Sequence, residues 1–204
     1  MARRDPLHWL ARAVLVVLIV TEALGQAHVL TLQPQFTWSG LLWQAVAALL
    51  AFEVLAWLDR RFDLRLNVGG IALLFAVLTA ADATGDILHW YEHLSWFDQV
   101  MHFSGGVMAG WATTSAYLAA RARHAGAPTR PEIIITGASF AALLGVLYEL
   151  SEYYGDLLTG SHRLGDGFDT ANDLSLDLYG GLLAAVVLAF VPRLRLVRRH
   201  PERT

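Results

Sequence analysis

Six apolar runs, each roughly 18 to 25 residues long, divide this chain, and each is about the length a helix needs to cross a hydrocarbon layer of ~30 Å. They fall at about 10–24, 38–58, 68–88, 97–120, 133–158 and 173–191. With 55% hydrophobic and only 16% charged residues in 204, apolar side chains exceed what the core of a soluble domain of this size holds. The expected fold class is all-α: one polytopic transmembrane helix bundle, without repeats or a linker long enough for a second domain.

The basic residues orient it. All fifteen are arginine, and fourteen cluster at the amino end, in the second and fourth connections and in the tail. By the positive-inside rule those segments are cytoplasmic, which puts both termini inside and leaves Arg163 alone outside. Trp9, Trp38, Trp57, Trp90, Tyr91, Trp96, Tyr153 and Tyr154 fall near span ends, where amphipathic rings prefer the interface. Arg3 and Arg4, a short apolar core and the small residues Gly25 and Ala27 also fit a cleavable signal peptide, which would leave five spans.

Ionisable groups inside a bilayer cost about 2.5–3.5 kcal/mol each on insertion scales, so those present call for a role. Here they gather at one depth, near the outer ends of the spans. Asp82 and Asp86 end the third, with His89, Glu92 and His93 just beyond; Asp98 and His102 open the fourth; Glu149 and Glu152 lie in the outer half of the fifth, ahead of Asp156; Asp169, Asp173 and Asp177 descend into the sixth. Asp98 and His102 share a helix face, as do Glu149 and Glu152. Asp169, Asp173 and Asp177 repeat every fourth residue, a ladder of about 12 Å from rim to interior.

So many carboxylates at short range need a counter-charge. With no cysteine in the chain, thiolate nucleophiles and sulfur-ligated metals are excluded, and oxygen with imidazole suits a divalent metal: Mg²⁺, Mn²⁺, Fe²⁺ or Zn²⁺. The expected ligands are Asp98, His102, Glu149, Glu152, Asp173 and Asp177. Asp169 is the candidate general base, His102 alternatively a proton shuttle, and Asp82 and Asp86 are expected around the ligands. Capping offers a plainer account of Asp98, Asp169 or Asp173 but does not reach Asp177 or Glu149, which lie a turn or more inside. Glu22 and Glu53, single acids near span ends, read as snorkelling or interhelical hydrogen bonds.

Gly105, Gly106 and Gly110, with Gly180 and Gly181, read as sites of close helix approach. The run from Gly165 to Asp169 lacks the alternating oxygen ligands and late glutamate of a calcium loop, and no phosphate loop, dinucleotide fingerprint or GxSxG elbow occurs. The arginines from 193 to 203 suit anchoring at anionic lipid rather than nucleic-acid binding.

The ordered set of Asp98, His102 and Phe103, then Glu149 and Glu152, then Asp169, Asp173 and Asp177 followed by Gly180 and Gly181 resembles bacterial YjdF-like membrane proteins and, more distantly, the VanZ-like group, over about 96–185. VanZ-like proteins usually carry a lysine after the first aspartate and an amide or asparagine where Glu152 and Asp177 stand, so this chain is the more acidic version. The resemblance implies an inner-membrane location and a shared polar site, and no particular reaction.

Three functions fit these residues. One is an intramembrane metal-dependent hydrolase or transferase acting on lipid-linked or envelope substrates, with the bilayer as its surroundings. Another is a cation- or proton-coupled transporter or binding protein, for which the inner halves offer few polar groups besides Glu53, Thr113, Thr114 and Thr136. The third is a structural subunit held together by its acids.

Overall fold

The computed structural model describes residues 5–124 and 127–195 as seven α-helices and a terminal 3₁₀ turn, with no strand among the described residues. The helices are α1 (Pro6–Gln26), α2 (Trp38–Phe62), α3 (Val68–Ile87), the short α4 (Trp90–His93), α5 (Phe97–His124), α6 (Arg130–Thr159) and α7 (Gly167–Phe190). Arg3, Arg4, Arg198, Arg199 and Arg203, on which part of the charge argument rests, lie outside the described residues.

Local chemistry sets where the helices start. Asp5 accepts from the Leu7 amide with Pro6 in the first turn, Thr37 from Gly40, and Asn67 from Gly70. Thr129 and Glu132 form a reciprocal capping box at α6. Asp166 accepts from the amides of both Phe168 and Asp169 and so starts α7 six residues before the apolar run at 173–191. The cap is therefore Asp166, and Asp169 and Asp173 are left inside the helix. Gly160, at φ 71°, closes α6 in the left-handed conformation that glycine adopts at least cost.

Among the described residues five helices are long and apolar enough to cross a membrane: α1, α2, α3, α6 and α7. α5, the expected fourth span, has 28 residues but falls outside that group. Its composition explains why. It carries Ser104, Gly105, Gly106, Gly110, Thr113, Thr114 and Ser115, with Gly106 and Gly110 against α7 and Thr114 and Ser115 wholly buried, which lowers its hydropathy.

α1, α2 and α3 pack on one another, α5, α6 and α7 form the other group, and α3 against α5 joins them. In the first group Ala11, Leu15, Phe52, Leu66, Ile71 and Ala72 form an apolar core, and Arg12 reaches across to Glu53 at 2.5 and 2.6 Å. That ion pair matches the interhelical reading of Glu53. Trp38 departs from the expected belt: it is buried against Gly25, where a Cβ would fall 2.3 Å from its ring, whereas Trp9, Trp57, Trp96 and Tyr154 face outward.

The second group is closed by glycine. A Cβ at Gly106 would lie 2.3 Å from the Asp177 carbonyl oxygen, one at Gly110 would lie 2.7 Å from Gly181, and one at Gly180 would lie 2.3 Å from the Phe103 carbonyl. α5 and α7 thus meet backbone to backbone, as the small residues predict. Gly106→Ala is expected to destabilise the protein by about 1–3 kcal/mol through forced helix separation. Gly155→Ala, whose Cβ would meet nothing within 4 Å, serves as the control in thermal unfolding of the detergent-solubilised protein and is expected to be unchanged or up to about 1 kcal/mol more stable.

Candidate functional site

His102 is the centre of the polar cluster. It projects from the second turn of α5 and is 8% exposed. Its Nε2 stands 3.7 Å from Asp98 Oδ1 and 3.8 Å from Asp173 Oδ2, and its Nδ1 3.6 Å from Asp177 Oδ2 and 3.9 Å from Glu149 Oε1. Helical spacing delivers two of these acids together, because Asp173 and Asp177 lie on one face of α7. Each imidazole nitrogen is flanked by two carboxylates, all beyond hydrogen-bond length.

The surrounding glycines make room for this. A Cβ at Gly145 would fall 2.6 Å from the Asp177 carboxylate and one at Gly106 would meet the Asp177 backbone, so Asp177 occupies a niche cut into both α5 and α6. Glu149, one turn beyond Gly145, is 5% exposed, and neither of its oxygens has a hydrogen-bond partner. A buried carboxylate without a donor is costly, so Glu149 is an acceptor in want of a proton or cation. Asp98, His102 and Asp173 offer ligand atoms within 4.8 Å of one another, close enough to share an ion.

Among the described residues the cluster has exposed acids at one end. Asp98, a third exposed, and Asp169, exposed in the first turn of α7, lie toward the end of the bundle, beside a depression lined by Asp166, Phe168, Asp169 and Asn172. Below Asp177 the backbones of α5 and α7 touch, with Gly181 against Ala141 and Gly137 against Thr114 and Ala185. Thr113 turns its hydroxyl to Ala109 of its own helix at 2.7 Å.

Glu152 goes elsewhere. Although it shares a face with Glu149, its Oε1 accepts from Arg163 Nε at 2.7 Å. Arg163 comes from the loop after α6 and enters the bundle, where its Nη2 also donates to both oxygens of Asp82, at 3.1 and 3.2 Å, and to the Tyr148 hydroxyl at 3.3 Å. Tyr91 donates a short hydrogen bond to Asp82, and burial pushes its phenol up, which keeps it a donor. Asp86, with no exposed surface, accepts from the Phe36 amide at 3.0 Å. Asp82 and Asp86 therefore belong to an ion-pair knot around Arg163, beside the His102 centre.

The knot and the centre touch through Tyr148, whose ring packs edge-on to His102 with centroids 5.7 Å apart and whose hydroxyl accepts from Gln44 of α2 at 3.2 Å. Glu22 is the acid that sequence reasoning misplaced. It does not snorkel: it is 1% exposed and neither oxygen has a hydrogen-bond partner. Arg163 was legible as the single outer arginine, but spacing within one helix carries no sign of its reach to α3.

A family model described as predicted membrane protein (DUF2238) matches residues 3–193. The chain belongs to that family. The match extends well beyond the 96–185 stretch that holds the acidic motifs and takes in the α1–α3 group as well. No curated protein and no solved structure matches the chain significantly.

Removing Arg163 leaves Asp82 and Glu152 buried without a cation, so Arg163→Ala is expected to cost about 3–5 kcal/mol in thermal unfolding. Adding Asp82→Asn and Glu152→Gln to that variant is expected to restore a large part of the loss.

Proposed function

We propose that this is a six-span integral membrane protein of the plasma membrane, with α5 as the fourth of the six spans and the arginine-rich end in the cytoplasm. Its extracytoplasmic centre binds a divalent metal through His102 Nε2, Asp98 and Asp173, with Asp177 and Glu149 on the Nδ1 side of the same imidazole. The observation that carries this reading is the buried imidazole with four carboxylates at 3.6–3.9 Å and the unpartnered oxygens of Glu149 beside it. One imidazole cannot neutralise four acids, and a divalent ion supplies the missing charge with ligand chemistry that suits nitrogen and oxygen donors. The six-span arrangement is supported by the length of α5 and its position alongside α6 and α7.

The reaction class that fits is metal-dependent hydrolysis or group transfer on a lipid-linked phosphate. A metal lowers the pKa of bound water and offsets charge on a phosphoryl oxygen, which an acidic pocket alone would repel. Asp169, at the mouth and outside the ligand group, is the base that accepts the proton of the attacking water. The opening at Asp98 and Asp169 gives access from the outer leaflet. The touching backbones of α5 and α7 below Asp177 favour a one-sided site over a conducting path. The YjdF-like resemblance agrees with a polar site in the inner membrane.

Elemental analysis of the purified protein tests the metal. About one transition metal per chain is expected in the wild type, with roughly tenfold less in Asp177→Asn and Glu149→Gln. Equal and negligible metal in all three would replace the ion with a carboxylate network sharing protons. Asp169→Asn is expected to retain metal while losing about 10²-fold or more in release of phosphate from a lipid-linked diphosphate.

A further inference from the structure

The His102 centre leaves a second group of buried acids unused. Glu22 sits on α1 one turn beyond Leu18, and Leu18 packs in the cluster of Trp38, Leu41 and Ala83 with Ile87. This brings Glu22 to the depth of Asp82 and Asp86 on α3, and these two are the charged groups that act on it. Three buried oxygens in this region have no hydrogen-bond partner: both of Glu22 and Oδ2 of Asp86. Both side chains are more than nine-tenths buried.

Arg163 does not satisfy them. Its Nε and Nη2 are taken by Glu152, Asp82 and Tyr148, and its Nη1 stands 3.9 Å from Asp86 Oδ2, too far to donate. Three acids, Asp82, Asp86 and Glu152, thus share one guanidinium, and Glu22 is outside its reach. The 27–37 connection folds over the outer side, with the Phe36 amide on Asp86 Oδ1 at 3.0 Å and the Gln35 amide on the Asp86 carbonyl at 3.1 Å. These contacts hold Asp86 in place and use only one of its two carboxylate oxygens.

We propose that Glu22 and Asp86 hold a hard divalent cation, Mg²⁺ or Ca²⁺, at an all-oxygen site separate from the His102 centre. The donor set decides the class. Carboxylate oxygens without imidazole or thiolate suit Mg²⁺ and Ca²⁺, whereas the imidazole at the His102 centre suits a transition metal. The ion joins α1 to α3 at the end where Arg163 already joins α3 to α6. It is a structural cation, and it does not depend on the reaction proposed above.

The test is equilibrium binding of Mg²⁺ and of Ca²⁺ to the purified full chain, beside Glu22→Gln, Asp86→Asn and Asp177→Asn. Wild type and Asp177→Asn are expected to bind one of the two cations alike, and Glu22→Gln to lose roughly tenfold or more in affinity while keeping its transition metal. Binding by Glu22→Gln equal to wild type, or no binding of either cation by wild type, would overturn the proposal and leave Glu22 a neutral buried acid. Should Glu22→Gln fail to fold, thermal unfolding of wild type and Asp177→Asn decides. A rise in Tm with added Mg²⁺ or Ca²⁺ in both supports the site, and no rise overturns it.

Discussion

Carboxylates held close together in a medium that cannot solvate them are the constraint around which this molecule is organised. In water, Asp98, Glu149, Asp173 and Asp177 would keep apart. Here α5, α6 and α7 bring them to one imidazole, and the repulsion has to be met by protons or by a cation. The polar end of the bundle holds two answers to that problem. Arg163 meets it for Asp82 and Glu152 with direct hydrogen bonds, while the acids around His102 have no arginine beside them among the described residues. That contrast separates a group held by its own counter-ion from one that has none among the described residues.

Close approach of the helices makes the cluster possible. Asp177 reaches His102 because Gly106 and Gly145 lack the atoms that would otherwise fill its place, and the same absence lets α5 and α7 touch along Gly110, Gly180 and Gly181. The glycines that create the site therefore also close it from below. This coupling explains why α5 is poor in large apolar side chains although it is as long as its neighbours: Gly106 and Gly110 are given to packing against α7.

Much of this was readable from the chain. Run lengths gave the helices to within a few residues, except at α7, where Asp166 caps a polar first turn that hydropathy does not register. The four-residue spacing of Asp98 with His102 and of Asp173 with Asp177 placed each pair on a common face, which the structure brings to one centre. Spacing within a helix failed where a partner came from elsewhere. Glu152 shares a face with Glu149, but a loop arginine claims it, and Glu22 reads as a snorkelling or interhelically hydrogen-bonded acid because nothing in α1 shows how deeply the bundle buries it. Register between helices depends on which small residues meet, and a single helix's periodicity does not encode that.

The central claim is that one imidazole and several carboxylates bind a common metal. Pulsed electron paramagnetic resonance on protein loaded with Mn²⁺ reads the ligands directly. The account predicts nitrogen coupling from one imidazole that disappears in His102→Ala. A Mn²⁺ spectrum with no nitrogen coupling in the wild type, indistinguishable from the hydrated ion, would contradict it.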